Sequence, residues 1–217
     1  MIDQNRTAPP RTRDSQNVGR RLCIVVPCYN EEVVLAETIQ QLLAMLEQPS
    51  QGGRCNQNSL LLFVDDGSAD LTWSLVEQIA ACKPGRVAGL RLSTNVGHQR
   101  PLLAGLLTAP GDVLISIDAD LQDDLSVIPR MLDLYCAGNN LVYGVRRGTD
   151  SDTLFKRLTA ETYYRLMRWM GVDLVYNHAD FRLMSRRAVE ALRHYEEVNL
   201  FLRGLVRLIG FRSAEVF

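Results

Sequence analysis

The stretch Val113-Leu114-Ile115-Ser116-Ile117, followed at once by Asp118-Ala119-Asp120-Leu121-Gln122-Asp123-Asp124, most constrains what this chain can fold into. The apolar, β-branched opening is of strand length, and the cluster of acids ends it abruptly. Side chains alternate along a strand, so Asp118, Asp120 and Gln122 are expected on one face. A hydrophobic strand that delivers two carboxylates and an amide to one spot is building a site, because open α/β sheets bind ligands at the C-terminal ends of their strands. Two carboxylates beside a diphosphate would repel it by about 4 kcal/mol per close pair at an effective dielectric of 20. A divalent cation turns that repulsion into a clamp, and hard oxygen ligands suit Mg2+ or Mn2+. Taken alone, the stretch also reads as a solvated acidic loop or as an N-cap for the next helix.

The surrounding chain repeats a strand–helix rhythm. Leu22-Cys23-Ile24-Val25-Val26 reads as a buried strand stopped by Pro27, and Val33–Leu46 reads as a helix with Asn30 as its N-cap. Gln48–Asn58, with Pro49 and Gly52-Gly53, is a loop. Leu60-Leu61-Leu62-Phe63-Val64 is a second strand that turns off sharply at Asp65-Asp66-Gly67-Ser68, with Ser68 or Asp70 capping a helix to Cys82. Val87–Leu92 is a third strand, His98–Thr108 a third helix, Ser126–Cys136 a fourth, and Leu141–Val145 a further strand. This alternation predicts an α/β fold with a mainly parallel sheet and helices on both faces.

Downstream the rhythm changes. Arg146-Arg147-Gly148-Thr149-Asp150 is a basic loop, and Asp152–Met170 is an amphipathic helix whose apolar stripe fits core packing ahead of membrane contact. A helix near Arg186–Tyr195, the apolar-basic Asn199–Ile209 and a strand at the end of the chain follow. Residues 1–145 carry 11 Lys/Arg against 16 Asp/Glu, and residues 146–217 carry 13 against 9. An acidic first part and a basic second part point to metal-assisted anion binding first and direct anion or membrane-surface contact later. The net charge of −1 points to no nucleic-acid partner.

Hydrophobic residues make up 47% of the 217, ample for one large domain. The polar stretch from Met1 to Arg20 reads as a disordered tail, neither signal peptide nor anchor, leaving 21–217 as the folded unit. No apolar run reaches the ~18 residues of a membrane span. Five scattered cysteines without a C-x-x-C pair suit a reducing, cytosolic setting.

Three acidic strand ends, Pro27-Cys28-Tyr29-Asn30-Glu31, Val64-Asp65-Asp66-Gly67-Ser68 and Asp118-Ala119-Asp120, occur in an order that resembles glycosyltransferase family 2. The longer string Asp118-Ala119-Asp120-Leu121-Gln122-Asp123, with Ala179-Asp180-Phe181-Arg182-Leu183 downstream, is similar to the polyprenyl-phosphate glycosyltransferases of the dolichyl-phosphate-mannose-synthase type. The likeness runs from about Arg21 to Phe217. It implies a GT-A fold, a nucleotide-sugar donor and a polyprenyl phosphate acceptor at the cytoplasmic face of the membrane; a homo-oligomer stays open. Carried over by position, Pro27, Tyr29 and Glu31 would lie along the nucleotide. Asp65 and Asp66 would bond base and ribose. Asp118 and Asp120 would hold metal and diphosphate, with Gln122 as a further metal ligand. Arg146 would approach the phosphates, and Asp180 and Arg182 the acceptor side, with Asp120, Asp180 and Arg182 as the catalytic set.

Two departures accompany the likeness. Asp124-Leu125 stands where many members carry paired prolines, which bears on loop rigidity. Members usually continue into a basic loop and two transmembrane helices, so the resemblance implies a catalytic-domain fragment or an anchor supplied elsewhere. A lipid phosphate is ionised at neutral pH and needs no strong general base, so Asp180 is open between a catalytic role and a salt bridge to Arg182. His98 is open between touching the nucleotide and packing in the third helix, with packing favoured, and His178 is noted for its nearness to Asp180. Two other functions stay open: a soluble family 2 transferase acting on a saccharide hydroxyl, which would need a carboxylate base, and a non-catalytic nucleotide-sugar-binding module.

Overall fold

In a computed structural model of the chain, the described residues are 19–47, 55–145, 180–195 and 202–217. The basic loop with Arg146 and Arg147, the Asp152–Met170 helix and His178 lie outside them, as does the side chain of Arg203.

Strand β1 (Leu22–Cys28) pairs in parallel with β2 (Leu60–Asp65) on one side and β4 (Val113–Ser116) on the other. Strand β3 (Val87–Arg91) extends the sheet in parallel beyond β2. On the far side the order continues through β6 (Arg182–Ser185), β5 (Leu141–Gly144) and β7 (Ser213–Val216), giving β3-β2-β1-β4-β6-β5-β7. Strand β6 is antiparallel to both neighbours, while β5 and β7 are parallel. The expectation of a mainly parallel sheet therefore holds.

The helices are α1 (Leu35–Glu47), α2 (Thr72–Cys82), α3 (Gln99–Thr108), α4 (Ile128–Cys136), α5 (Arg186–Leu192) and α6 (Leu202–Leu208). Every residue of β1 is buried, so its sequence shows an apolar run instead of alternation. Leu22, Ile24 and Val26 join one core with Leu35, Ile39 and Leu42 of α1, Val76 of α2 and Ile128 and Met131 of α4. Cys23 and Val25 point the other way, into a second core with Leu102 and Leu106 of α3, Val189 of α5 and Leu205 and Val206 of α6. Helices cover both faces, as the alternation of strands and helices required.

Two local readings change. Within the Asn199–Ile209 segment, the described residues from Leu202 onward turn Leu202 and Val206 fully into the second core, while Leu208 remains outward. Arg20, read as part of the tail, stacks its guanidinium 4.9 Å over the Tyr135 ring and bridges to Cys55. The start of α3 is set by packing: a Cβ on Gly105 would stand 2.5 Å from a Val25 methyl and 2.7 Å from a Val64 methyl. That close approach seats α3 on β1 and β2 and aims its first turn at their C-terminal ends.

Candidate functional site

The C-terminal ends of β1, β2 and β4 and the first turn of α3 enclose a cleft of about 380 Å3. Pro27, Tyr29 and Glu31 line it from β1, Asp66 from β2, and Asp118 and Asp120 from beyond β4, so six residues singled out in the sequence converge. Asn95, Gly97, His98 and Pro101 complete the wall from the loop after β3.

One wall of the cleft is a pair of loops laced together. Backbone N–H groups of Asn30, Glu31 and Glu32 donate to Ser68 Oγ (2.9 Å), Thr72 Oγ1 (2.8 Å) and Asp70 Oδ2 (3.2 Å). In return Ala69 N donates to Asn30 Oδ1 and Leu71 N to Glu32 Oε2. Asn30 is thus no helix cap. It takes a left-handed φ of 55° and turns its amide away from α1, a conformation asparagine tolerates better than most residues. Asp70 does act at a helix start, accepting from Thr72 N at 3.0 Å.

Of the two acids at the end of β2, Asp66 lines the cleft and Asp65 does not. Asp65 is fully buried; its carboxylate accepts from Ser68 N at 3.2 and 3.3 Å and pairs with Arg91 at 3.3 Å, so it braces the turn beneath the cleft and does not face it. Asp66 lines the cleft and accepts from Val96 N (2.9 Å) and Gly97 N (3.1 Å), fixing the loop after β3. Gly67 makes the turn possible at φ +72°, where a Cβ would stand 2.8 Å from the Thr94 carbonyl carbon. Gly67→Ala is expected to cost about 1–3 kcal/mol of stability by urea denaturation, through left-handed strain and backbone collision.

Strand β4 ends at Ser116, so Asp118 and Asp120 sit in a turn past it instead of alternating along it. Leu121 takes φ 47° there, and the buried Thr38 of α1 pins the turn by donating to the Ala119 carbonyl at 2.6 Å. Both acids still reach the cleft. Gln122 does not line it; its amide folds back onto Asp120 Oδ2 at 2.6 Å. Asp118 Oδ1 is buried and has no hydrogen-bond partner among the described residues. A buried carboxylate oxygen left unpaired beside a second acid fits a hard divalent cation, so Asp118 and Asp120 could hold Mg2+ or Mn2+.

His98 enters here as a correction. It is half exposed, lines the cleft, and brings Nε2 to 2.7 Å from Asp180 Oδ2 and 3.9 Å from Asp118 Oδ1. Ligand atoms of His98, Asp118 and Asp180 lie within 4.8 Å of one another. Asp180 is 1% exposed and ion-paired with the equally buried Arg182, so the salt bridge considered in the sequence is formed. Neither Asp180 nor Arg182 lines the cleft. The less favoured of the two sequence readings of His98 is thus the nearer one, and its contact with Asp180, which spans 82 positions, had no signal in the sequence.

The crowding of acids is visible electrostatically. Desolvation, followed by the Asp180 charge, pushes the Asp118 carboxyl above its ordinary value. Desolvation, then Asp120, Asp70 and Asp118, does the same to Glu31. The folded state therefore holds these protons more tightly than the unfolded chain. Their contribution to stability is present at low pH and lost as pH rises through the raised values. Mn2+ is accordingly expected to raise the melting temperature more at pH 7.5 than at pH 5, read by differential scanning fluorimetry.

Residues 23–193 match the sequence profile of glycosyl transferase family 2. An uncharacterized glycosyltransferase of Bacillus subtilis, YkoT, is 53% identical over 197 residues, covering 90% of this chain and 58% of that protein. A bactoprenol glucosyl transferase of Shigella phage SfV is 34% identical over 194 residues, covering 88% of this chain and 60% of that protein. The chain thus spans about three fifths of these relatives' lengths. Among solved structures, a mannosyltransferase from Pyrobaculum calidifontis in complex with GDP-Man and Mn2+ superposes with a TM-score of 0.62 at 17% identity, over 91% of this chain and 55% of that one. This last likeness shows the GT-A fold.

Proposed function

The chain belongs to glycosyl transferase family 2, and from that premise we propose that it moves a hexose, with inversion, from a nucleotide-diphosphate sugar to a polyprenyl phosphate. The observation that carries the reading is the cleft itself, where Tyr29, Glu31 and Asp66 stand across from Asp118 and Asp120 at the ends of parallel strands. An aromatic face and backbone-fixed acids suit a nucleoside. The acid pair, with the unpaired Asp118 Oδ1, suits a metal-bound diphosphate.

In this reading Tyr29 and Asp66 bind and orient the nucleoside, and Asp118 and Asp120, at the diphosphate end, would hold a divalent cation. When bound there, Mg2+ or Mn2+ supplies charge stabilisation to the departing nucleoside diphosphate. The acceptor oxygen attacks the anomeric carbon from the opposite side as the bond to the diphosphate breaks. Arg146 is proposed to approach the phosphates, and Arg182, through Asp180, to support the acceptor side. The phage relative named for bactoprenol supports a lipid phosphate acceptor. So does the burial of Asp180 against Arg182, which suits it poorly to serve as the base a saccharide hydroxyl would need.

The acceptor places the reaction at a membrane surface, on its cytoplasmic face, even though no helix among the described residues is long and apolar enough to cross a membrane. Basic residues near an anionic leaflet contribute roughly 1 kcal/mol each, giving salt-sensitive docking. The chain is expected to sediment with anionic liposomes at low salt and release at high salt. The deciding experiment offers radiolabelled UDP-glucose, UDP-N-acetylglucosamine and GDP-mannose with polyprenyl phosphate and Mn2+ or Mg2+, followed by lipid extraction. Label in the lipid phase supports the reading; label transferred to soluble saccharides and none to lipid overturns it.

A further inference from the structure

We propose that His98 is a positioning residue of this site, coupling the cleft wall to the buried Asp180–Arg182 pair; the inference rests on the transfer reading above. Carboxylate oxygens of Asp180 and Asp118 lie within 4.8 Å of each other, yet Asp180 is 1% exposed and absent from the lining. His98 lines the cleft and touches Asp180 at 2.7 Å. An ionised carboxylate accepts hydrogen bonds and cannot donate, so Nε2 carries the proton and gives it to Asp180. The same nitrogen stands 3.9 Å from Asp118 Oδ1, which places the imidazole edge between the two acids.

The partner behind the imidazole is rigid. Arg182 of β6 grips the Asp180 carboxylate, and Ser116 of β4 donates to the Asp180 carbonyl. Phe181 fills the space over Gly144 of β5, where any Cβ would collide with its ring, and its carbonyl accepts from Gly144 N at 3.0 Å. Asp180 is therefore seated by three strands. His98 in turn opens α3, and the next residue, Gln99, accepts through Oε1 from Leu202 N at the start of α6. The ring is held at Nε2 by Asp180, and the chain that carries it is tied to α6 through Gln99, while Nε2 stands between Asp180 and Asp118.

In this arrangement His98 acts through Asp118. It separates two like charges and fixes the side from which Asp118 addresses the diphosphate. A group that orients a metal-binding side chain in this way typically carries 10–100-fold in activity. His98→Ala should lower kcat for sugar transfer by roughly 30-fold and leave the donor KM and nucleoside diphosphate affinity within about threefold. His98→Gln, whose amide can still donate to Asp180, should recover most of that loss. Asp180→Asn should lower kcat similarly, and the double variant should be no worse than either single one.

The test pairs these kinetics with 15N–1H spectra of the imidazoles in the wild-type chain. A protonated Nε2 on His98 that shifts in Asp180→Asn supports the pairing without any acceptor present. If Asp180→Asn does not fold, the contrast of His98→Ala with His98→Gln carries the test. Equal losses in His98→Ala and His98→Gln would overturn the proposal, as would a fall in nucleotide affinity matching the fall in kcat, or multiplied losses in the double variant. Absence of lipid product from the wild type would instead sink the transfer reading, with donor hydrolysis and the imidazole spectra still reporting on His98.

Discussion

Asp118→Asn is expected to reduce metal-dependent sugar transfer by about 10²–10³-fold, equivalent to about 2.7–4 kcal/mol of lost stabilisation. The loss follows from position as much as from charge. Asp118 Oδ1 is buried, without a hydrogen-bond partner among the described residues, at the junction of the turn after β4 and the first turn of α3. An amide there keeps a carbonyl oxygen but removes the negative charge that a hard cation needs. Asp120→Asn should weaken the same binding, although its carboxylate is exposed and shared with the Gln122 amide. Asp65→Asn should behave otherwise, destabilising the 65–68 turn and the Arg91 pair while leaving metal dependence intact. Titration calorimetry of the nucleoside diphosphate with and without Mn2+ separates the cases. Equal affinity of Asp118→Asn and wild type in Mn2+ would remove the clamp from the account.

How far the fold was legible follows from which forces set it. The strands and helices were readable because apolar runs of strand length alternate with helical periodicity, and both faces of the sheet are buried by that pattern. The antiparallel β6 was not anticipated, since strand direction is decided by tertiary pairing across 66–72 positions between β4 and β6. Within the site, Asp118 and Asp120 were found by residue type, yet the reason first given for them fails: a turn with Leu121 at positive φ, held by Thr38, brings them together, not strand alternation. Asp65 and Asp66 look alike in sequence and diverge in space because one side chain points under the turn and the other over it. His98 was misjudged because its partner arrives from β6. Arg146 falls outside the described residues, so its proposed place at the phosphates rests on the family likeness.

The second large effect is on stability. Arg182→Leu removes the cation from a pair in which both side chains are at most 2% exposed, leaving Asp180 as a buried charge. Breaking such a pair from one side typically costs about 3–5 kcal/mol, against about 5–15 kcal/mol for the whole of a domain's stability. For a domain of this size that is a fall in melting temperature of roughly 6–20 °C. The cost belongs to the stranded charge more than to the lost contact, so Asp180→Asn in the same chain should return a large part of it. His98 donates to the same carboxylate at 2.7 Å and cannot replace Arg182, being half exposed and on the opposite side toward the cleft. Urea denaturation of wild type, both single variants and the double variant closes the cycle. A penalty in the double variant equal to the sum of the singles would mean that Arg182 stabilises β6 through its other contacts, and that the pair with Asp180 is incidental to the fold.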